Sequence, residues 1–166
     1  MFNSKLKQEL AAVKQQLLEK QSMLTAISSS QGIIEFDLNG NVLELNDNFA
    51  KMMGYSKQEA IGQNHSNFVL PDYAKSAAYK QFWETLRSGK FVSDRFKRVA
   101  KDGSIVWLEA AYTPVLDNQG SPYKVVKIAT DVTDQINQEL DNKGQIDAIN
   151  RAMAVISFDL NGNILH

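Results

Sequence analysis

The stretch Ile33 to Leu45, IIEFDLNGNVLEL, leaves a chain of this length few folds to choose from. Apolar and polar residues alternate on both sides of Asn39-Gly40, the pattern of a β-hairpin with one buried face. Asn-Gly is a strong hairpin signal, because a type I′ turn needs positive φ at both central residues. The same words return at Val155 to Leu165, VISFDLNGNIL, and the match extends upstream, where Ala148-Ile149 answers Ala26-Ile27. Self-similarity at one offset means a repeated structural unit. The expected organisation is an N-terminal helix over residues 1–30, a complete domain over 31–134, a connector helix over 135–150 and the truncated opening of a second such domain over 151–166.

The totals narrow the class of function. The 166 residues are 43% hydrophobic and 22% charged, ordinary for a soluble globular chain with about one domain's worth of core. A net charge of -1 provides no basic field for nucleic acid and no polybasic membrane anchor. With no cysteine there is no disulfide framework, thiolate metal site or thiol chemistry. No apolar run approaches a membrane span and the N-terminus lacks a signal-peptide core, so a cytoplasmic protein is expected.

Along the chain, residues 3–28 carry a heptad pattern. Leu10, Leu17 and Leu24 are spaced by sevens, as are Leu6, Val13, Lys20 and Ile27 at an offset of four. One isolated helix cannot bury so narrow a stripe. It pairs with its copy in a homodimer, packs on the domain's own sheet, or stays solvated. Ser28 to Gly32 is expected to break this helix before the hairpin. Asn46-Asp47 then caps a short helix, Asn48 to Met53, and Ser56-Lys57-Gln58-Glu59 has capping-box spacing for another turn. Gln63 to Leu70 reads as a polar loop or irregular turn. Pro71-Asp72 opens a longer helix, Tyr73 to Arg87, with Ala78, Tyr79, Phe82, Trp83 and Leu86 on its apolar face. Three strands follow: Phe91 to Val99, Ile105 to Val115 and Tyr123 to Thr130. Turns at Lys101-Asp102-Gly103-Ser104 and Asp117-Asn118-Gln119-Gly120 separate them. The order β, β, helices, β, β, β predicts an α+β fold: a five-stranded antiparallel sheet with short helices on one face. In the second of these strands Ile105 and Trp107 share one face, while Val106, Leu108, Ala110 and Tyr112 share the other, so both faces are expected to be covered. Asp131-Val132-Thr133-Asp134 ends the sheet and caps the connector, which weakens at Asn142-Lys143-Gly144.

These residues resemble the PAS family. The element order matches, as do FDLNGNVLELNDNFAKMMGYSKQEAIGQ, the hairpin KDGSIVWLEAAYTPVLDNQG and the closing Asp131-Val132-Thr133. More narrowly, Tyr79 to Trp83, Trp107 to Ala110 and Val125 to Thr133 look like the tandem PAS units ahead of soluble methyl-accepting chemotaxis transducers, including the biofilm-dispersion type. The resemblance implies a sensory input module of a signal-transduction protein. It also implies a pocket between sheet and helices, and a downstream second PAS domain and signalling rod. Asp131 and Thr133 would relay the signal. Similar PAS units precede histidine kinases and cyclic-nucleotide enzymes, so the output is set by sequence elsewhere.

No Ser/His/Asp set, P-loop, GxGxxG or HExxH motif is present, and no enzyme activity is expected. Family members hold flavin, haem or small metabolites, so FAD, haem and no cofactor at all are the options. Gly62, His65, Pro71, Asp72 and Trp83 resemble the flavin-binding unit of the aerotaxis receptor. The chain departs from it at Val69-Leu70, where that pattern has Arg-His, and at Arg98, where it has Asn. His65 is either a haem ligand or a solvated loop histidine. Tyr79, Phe82 and Trp83 either wall a planar cofactor or form the core face of their helix. His65, Asp72, Tyr79, Trp83 and Arg98 are the candidate pocket residues. Arg95, Lys97 and Arg98 together read as a solvated basic cluster on one strand. The runner-up function is a dimerisation module whose pocket is filled by its own side chains.

Overall fold

The computed structural model describes residues 2–152, with Asn161 and Asn163 beyond them. Apart from Asn161 and Asn163, the second copy of the hairpin, Val155 to Leu165, lies outside the described residues. The chain divides into two units, the first ending at Asp131 and the second starting at Val132.

The first unit opens with helix α1 (Phe2–Ser30), followed by strands β1 (Gly32–Phe36) and β2 (Val42–Leu45). Helices α2 (Asp47–Met53) and α3 (Lys57–Ala60), a 3-10 turn (His65–Phe68), and helices α4 (Pro71–Ala74) and α5 (Ala77–Arg87) come next. Strands β3 (Val92–Val99), β4 (Ile105–Leu116) and β5 (Pro122–Asp131) close it. All pairings are antiparallel and the sheet order is β2-β1-β5-β4-β3. This is the expected α+β architecture.

The hairpin turns differ from expectation in an instructive way. Asn39 does not take positive φ; among the described non-glycine residues none does. The Asp37 N–H donates to the Asn41 carbonyl (2.9 Å) and the Gly40 N–H to the Asp37 carbonyl (3.1 Å), with Gly40 at φ 85°. That is a three-residue loop, a type I turn closed by a left-handed glycine, rather than type I′. The reason is Asp37, whose carboxylate accepts from the Asn39 and Asn41 N–H groups and from the Asn41 side chain. The same bond pattern recurs at Ala100–Ser104 and Asp117–Ser121.

Two helical expectations also shift. Helix α1 runs on through the serines, because Ser28 and Ser29 hydroxyls bond back to the Thr25 and Ala26 carbonyls. The side-chain amides of Asn46 and Asn48 then donate to carbonyls at Ser28, Ser29 and Gln31 and satisfy the helix end. Asn46 also caps α2, accepting from the Phe49 N–H, and its oxygen accepts from the β1 residue Ile33. The long helix expected from Tyr73 is two: Ser76 accepts from the Tyr79 N–H and starts a fresh N-cap, so α4 and α5 are separate. The capping box at Ser56 and Glu59 forms as read.

One sheet face is the core. Ile34, Phe36, Val106, Leu108, Ala110, Tyr112, Val125 and Ala129 point into it, against Phe49, Met53, Phe82, Trp83 and Leu86 of the helices. The other face is less covered than expected: Ile128 is 36% exposed, and Ile33, Trp107 and Val126 are half-buried. The α1 seam does not lie on it, for Leu6, Leu10, Val13, Leu17 and Leu24 are 54–65% exposed.

The second unit contributes α6 (Thr133–Ala152), which continues unbroken through Gly144 where a weakening was expected. Among the described residues no helix is long and apolar enough to cross a membrane.

Candidate functional site

The segment after α3 is laced onto the β1–β2 hairpin by backbone bonds. The Val42 N–H donates to the Gln63 carbonyl (2.8 Å), Gly62 N–H to Val42 (2.9 Å) and His65 N–H to Gly40 (2.7 Å). Asn64 adds side-chain bonds to the Asn39 carbonyl and to the Asn41 side chain. This lacing covers the outer edge of β2 and turns His65 inward. His65 is therefore no solvated loop residue: it is 1% exposed.

Its ring is held at both nitrogens. Nδ1 lies 3.0 Å from the Tyr79 hydroxyl on α5, and Nε2 lies 3.1 Å from the Tyr112 hydroxyl on β4. Tyr112 in turn accepts from the Arg98 guanidinium on β3 at 2.9 Å. Arginine cannot accept, so the buried Tyr112 proton goes to His65 Nε2, and His65 carries its own proton on Nδ1 and gives it to Tyr79. A single directed chain results: Arg98 to Tyr112 to His65 to Tyr79.

The wrapping is aromatic. Phe36 and Trp83 meet the His65 ring edge-on with centroids 5.3 and 5.5 Å away, and Phe82 stacks on it at 5.8 Å. Phe82 and Phe96 pack edge-on against Tyr112 at 4.9 and 5.2 Å. Trp83 sits so close to the hairpin turn that a Cβ on Gly40 would stand 2.9 Å from its ring.

Two cations are sealed beside this cluster. Arg98 and Lys127 are each 2% exposed, and no Asp or Glu among the described residues is buried. The Lys127 ammonium lies 5.0 Å from the ring centroids of both Phe49 and Tyr112. Burial, reinforced by the Arg98 charge, pulls the Lys127 amine well below its ordinary value. Burial likewise, with the charges of Arg98 and Lys127 adding to it, holds His65 well below its usual value, so the imidazole is neutral. Burial raises the Tyr112 and Tyr79 phenols.

The candidates His65, Tyr79, Trp83 and Arg98 thus come together, while Asp72 stands exposed on α4. The basic trio divides: Arg95 and Lys97 are exposed, but Arg98 is buried, because in β3 it shares the inward parity with Phe96. Tyr112 and Lys127 belong to the site and were not singled out. Lys127 had a signal, a lone cation between Val125 and Ala129 at inward parity in an apolar strand.

The residues do not suit a haem ligated through His65, since neither ring nitrogen is free for an iron. Nor is Trp83 an open wall for a flavin, with Phe36, His65 and Phe82 against it and Gly40 over its ring. Among the described residues no cluster of three or more His, Cys, Asp or Glu could hold a metal.

A family model described as PAS fold matches residues 42–129. The chain is 42% identical over 142 residues to the biofilm dispersion protein BdlA of Pseudomonas aeruginosa, covering 86% of this chain and 34% of the relative. It is 33% identical over 99 residues to the aerotaxis receptor of Escherichia coli, covering 60% of this chain and 19% of that receptor. The chain therefore spans about a third or less of the length of these relatives. Among solved structures, a PAS domain from Colwellia psychrerythraea superposes with TM-score 0.62 at 22% identity, covering 71% of this chain and 98% of that one. A light-oxygen-voltage domain with a flavin analogue superposes at 0.57 and 19% identity, covering 75% of this chain and 95% of that one.

Proposed function

Because this chain belongs to the PAS family, we propose that it is the sensory input module of a bacterial chemotaxis transducer, reading a ligand or redox state in the core and passing it through its flanking helices. The observation that carries the reading is the hydrogen-bond chain from Arg98 through Tyr112 and His65 to Tyr79. It joins three separate elements, β3, β4 and α5, around one neutral imidazole. A ligand or electron that altered any member would reset the bond directions of the others, and β5, which carries Lys127, runs through Asp131 into α6 at Thr133. Ligand-driven change requires different affinity for two states, and a chain with a definite direction has an alternative state to offer. His65, Tyr79, Trp83 and Arg98 are the pocket residues of this reading, and Asp131 and Thr133 its relay. It involves no catalysis.

The exposed heptad seam of α1 fits a homodimer. Five large apolar side chains in heptad register stand in solvent, and a second copy of the helix offers matching surface. Replacing Leu10 and Leu17 by Asp is expected to convert the dimer to monomer in sedimentation. A variant that stays dimeric removes the seam from the interface.

The test of sensing is the freshly purified chain, examined by absorption, native mass spectrometry and thermal shift against small metabolites. A bound group or a stabilising ligand upholds the proposal. If none is found, the second reading stands, a dimerisation module without cofactor, which the full engagement of both His65 nitrogens by tyrosines favours.

A further inference from the structure

Burying a cation is costly unless an anion compensates it. Here Arg98 and Lys127 are both sealed in the interior, and the ion pairs Lys57–Asp47, Arg95–Glu109, Lys101–Glu59 and Lys124–Glu35 lie elsewhere among the described residues. The Arg98 guanidinium is also incompletely used. It gives one N–H to the Lys97 carbonyl and one to Tyr112, and its Nε is the buried side-chain polar atom without a partner among the described residues. A buried donor left unmade is destabilising, and each such group in a native protein asks for an explanation.

Arg98 also borders a cavity at the edge of the sheet. This cavity, of about 360 Å³, lies beside β3 and is lined by Leu70, Tyr73, Phe96, Arg98 and Trp107. That volume is within the range of small-molecule sites. Three of its walls touch the hydrogen-bond chain from outside. Tyr73 packs on Tyr79 at 5.6 Å, Phe96 on Tyr112 at 5.2 Å, and Arg98 donates to Tyr112. The other charges at the rim are Asp94, Arg95 and Lys97. Arg95 is paired with Glu109, so Lys97 and Asp94 balance at the rim and Arg98 supplies the net positive charge; the Asp94 carboxylate also accepts from the Arg95 backbone N–H.

We propose that this cavity binds a small organic anion, a carboxylate on an apolar or aromatic body, with the carboxylate on Arg98 and the body between Tyr73, Phe96 and Leu70. The proposal rests on the sensory reading and names the ligand class for it. Carboxylate and guanidinium match in geometry and form short charge-assisted bonds, so an unused Nε–H is the right donor. Tyr73, Phe96, Trp107 and Leu70 are poor company for a strongly hydrated ion, which sets an organic carboxylate apart from free phosphate. Binding acts on the core through one group. A carboxylate that draws the guanidinium outward weakens its bond to Tyr112, and the Tyr112 hydroxyl then resets its bond to His65. The unbalanced positive charge felt by Lys127 falls at the same time.

The experiment uses the whole chain, with benzoate and, separately, inorganic phosphate as probes. The reporter is the Arg98 Nε–H cross-peak in NMR, assigned through bonds from the Arg98 backbone, so that no variant has to fold. Benzoate is expected to move this peak saturably and to shift the ring protons of Tyr73 and Phe96, while phosphate moves it only at concentrations about tenfold higher or more. Arg98→Met is expected to weaken benzoate binding by about tenfold or more, as loss of a charged hydrogen bond requires. No movement with benzoate overturns the proposal, and equal response to phosphate overturns the choice of an organic carboxylate. The sensory reading fails separately. Benzoate bound at Arg98 without any change in amide exchange of α6 sinks the relay and leaves this site, while a different bound molecule in the purified chain leaves the sensory reading and sinks this site.

Discussion

His65 Nε2 accepts the Tyr112 hydroxyl proton across 3.1 Å of fully buried core, and the two residues come from opposite sides of the fold, a 3-10 turn and the longest strand of the sheet. That bond links the helical side to the sheet side at the centre of the aromatic cluster.

Removing the Tyr112 hydroxyl therefore strands two groups together. Tyr112→Phe leaves the Arg98 donor and His65 Nε2 unsatisfied in a dry interior. The expected loss is about 1–3 kcal/mol in urea unfolding. Tyr79→Phe is expected to lose less, because Tyr79 is half-buried and water can replace its hydroxyl. Equal losses from the two variants would mean that the chain has no dry end.

Acid acts on the same ring. The folded value of His65 lies below the ordinary 6.5, since burial first and then Arg98 and Lys127 disfavour the imidazolium. The unfolded chain takes up the proton first, so this contribution to stability is complete above 6.5 and falls as pH drops below it. Melting temperature measured across that interval should decline in the parent protein. The decline should be shallower in His65→Gln; identical slopes would remove His65 as the titrating group.

Lys127 predicts a gain. Its folded value lies well below 10.5, so the unfolded chain holds the proton more tightly and the parent protein's stability rises with pH toward 10.5. Lys127→Met keeps the stem among Phe49 and Tyr112 and discards the charge. It should stabilise the ligand-free chain at neutral pH by about 1 kcal/mol or more and flatten the rise toward alkaline pH. A destabilised variant with an unchanged pH slope would mean that the ammonium is well served where it sits.

At the hairpin turn, Gly40→Ala faces two obstacles. The left-handed conformation, φ 85°, costs a side chain about 1–2 kcal/mol. The new Cβ would also stand 2.9 Å from the Trp83 ring. A loss above that figure, together with a shift in Trp83 emission, is expected. A neutral substitution would mean that the tryptophan gives way freely.

Much of this fold was legible because backbone preferences are local. Alternation marked β1, β2, β4 and β5, and glycines marked the turns, since only glycine takes their left-handed position without strain. The errors had equally local causes. The Asp37 carboxylate, by bonding two backbone N–H groups, turned an expected type I′ turn into a type I turn with a closing glycine. Ser76 divided one expected helix into two. The site was legible only in part. Trp83 and Tyr79 lay on a visible amphipathic face, whereas His65 lay in a polar run, Asn64-His65-Ser66-Asn67, that gives no sign of burial.

The linear chain, then, determined the order of the elements, the pairing of neighbouring strands and the inward parity of Tyr112 and Lys127, because each depends on residues close together in sequence. The tertiary fold alone decided that His65, Tyr79, Arg98 and Tyr112 meet and that two cations end in an interior without a carboxylate. Those contacts join residues 14 to 47 positions apart. They form when the 62–65 segment docks on the hairpin, and the energy of a charge depends on the dielectric that the finished core creates around it.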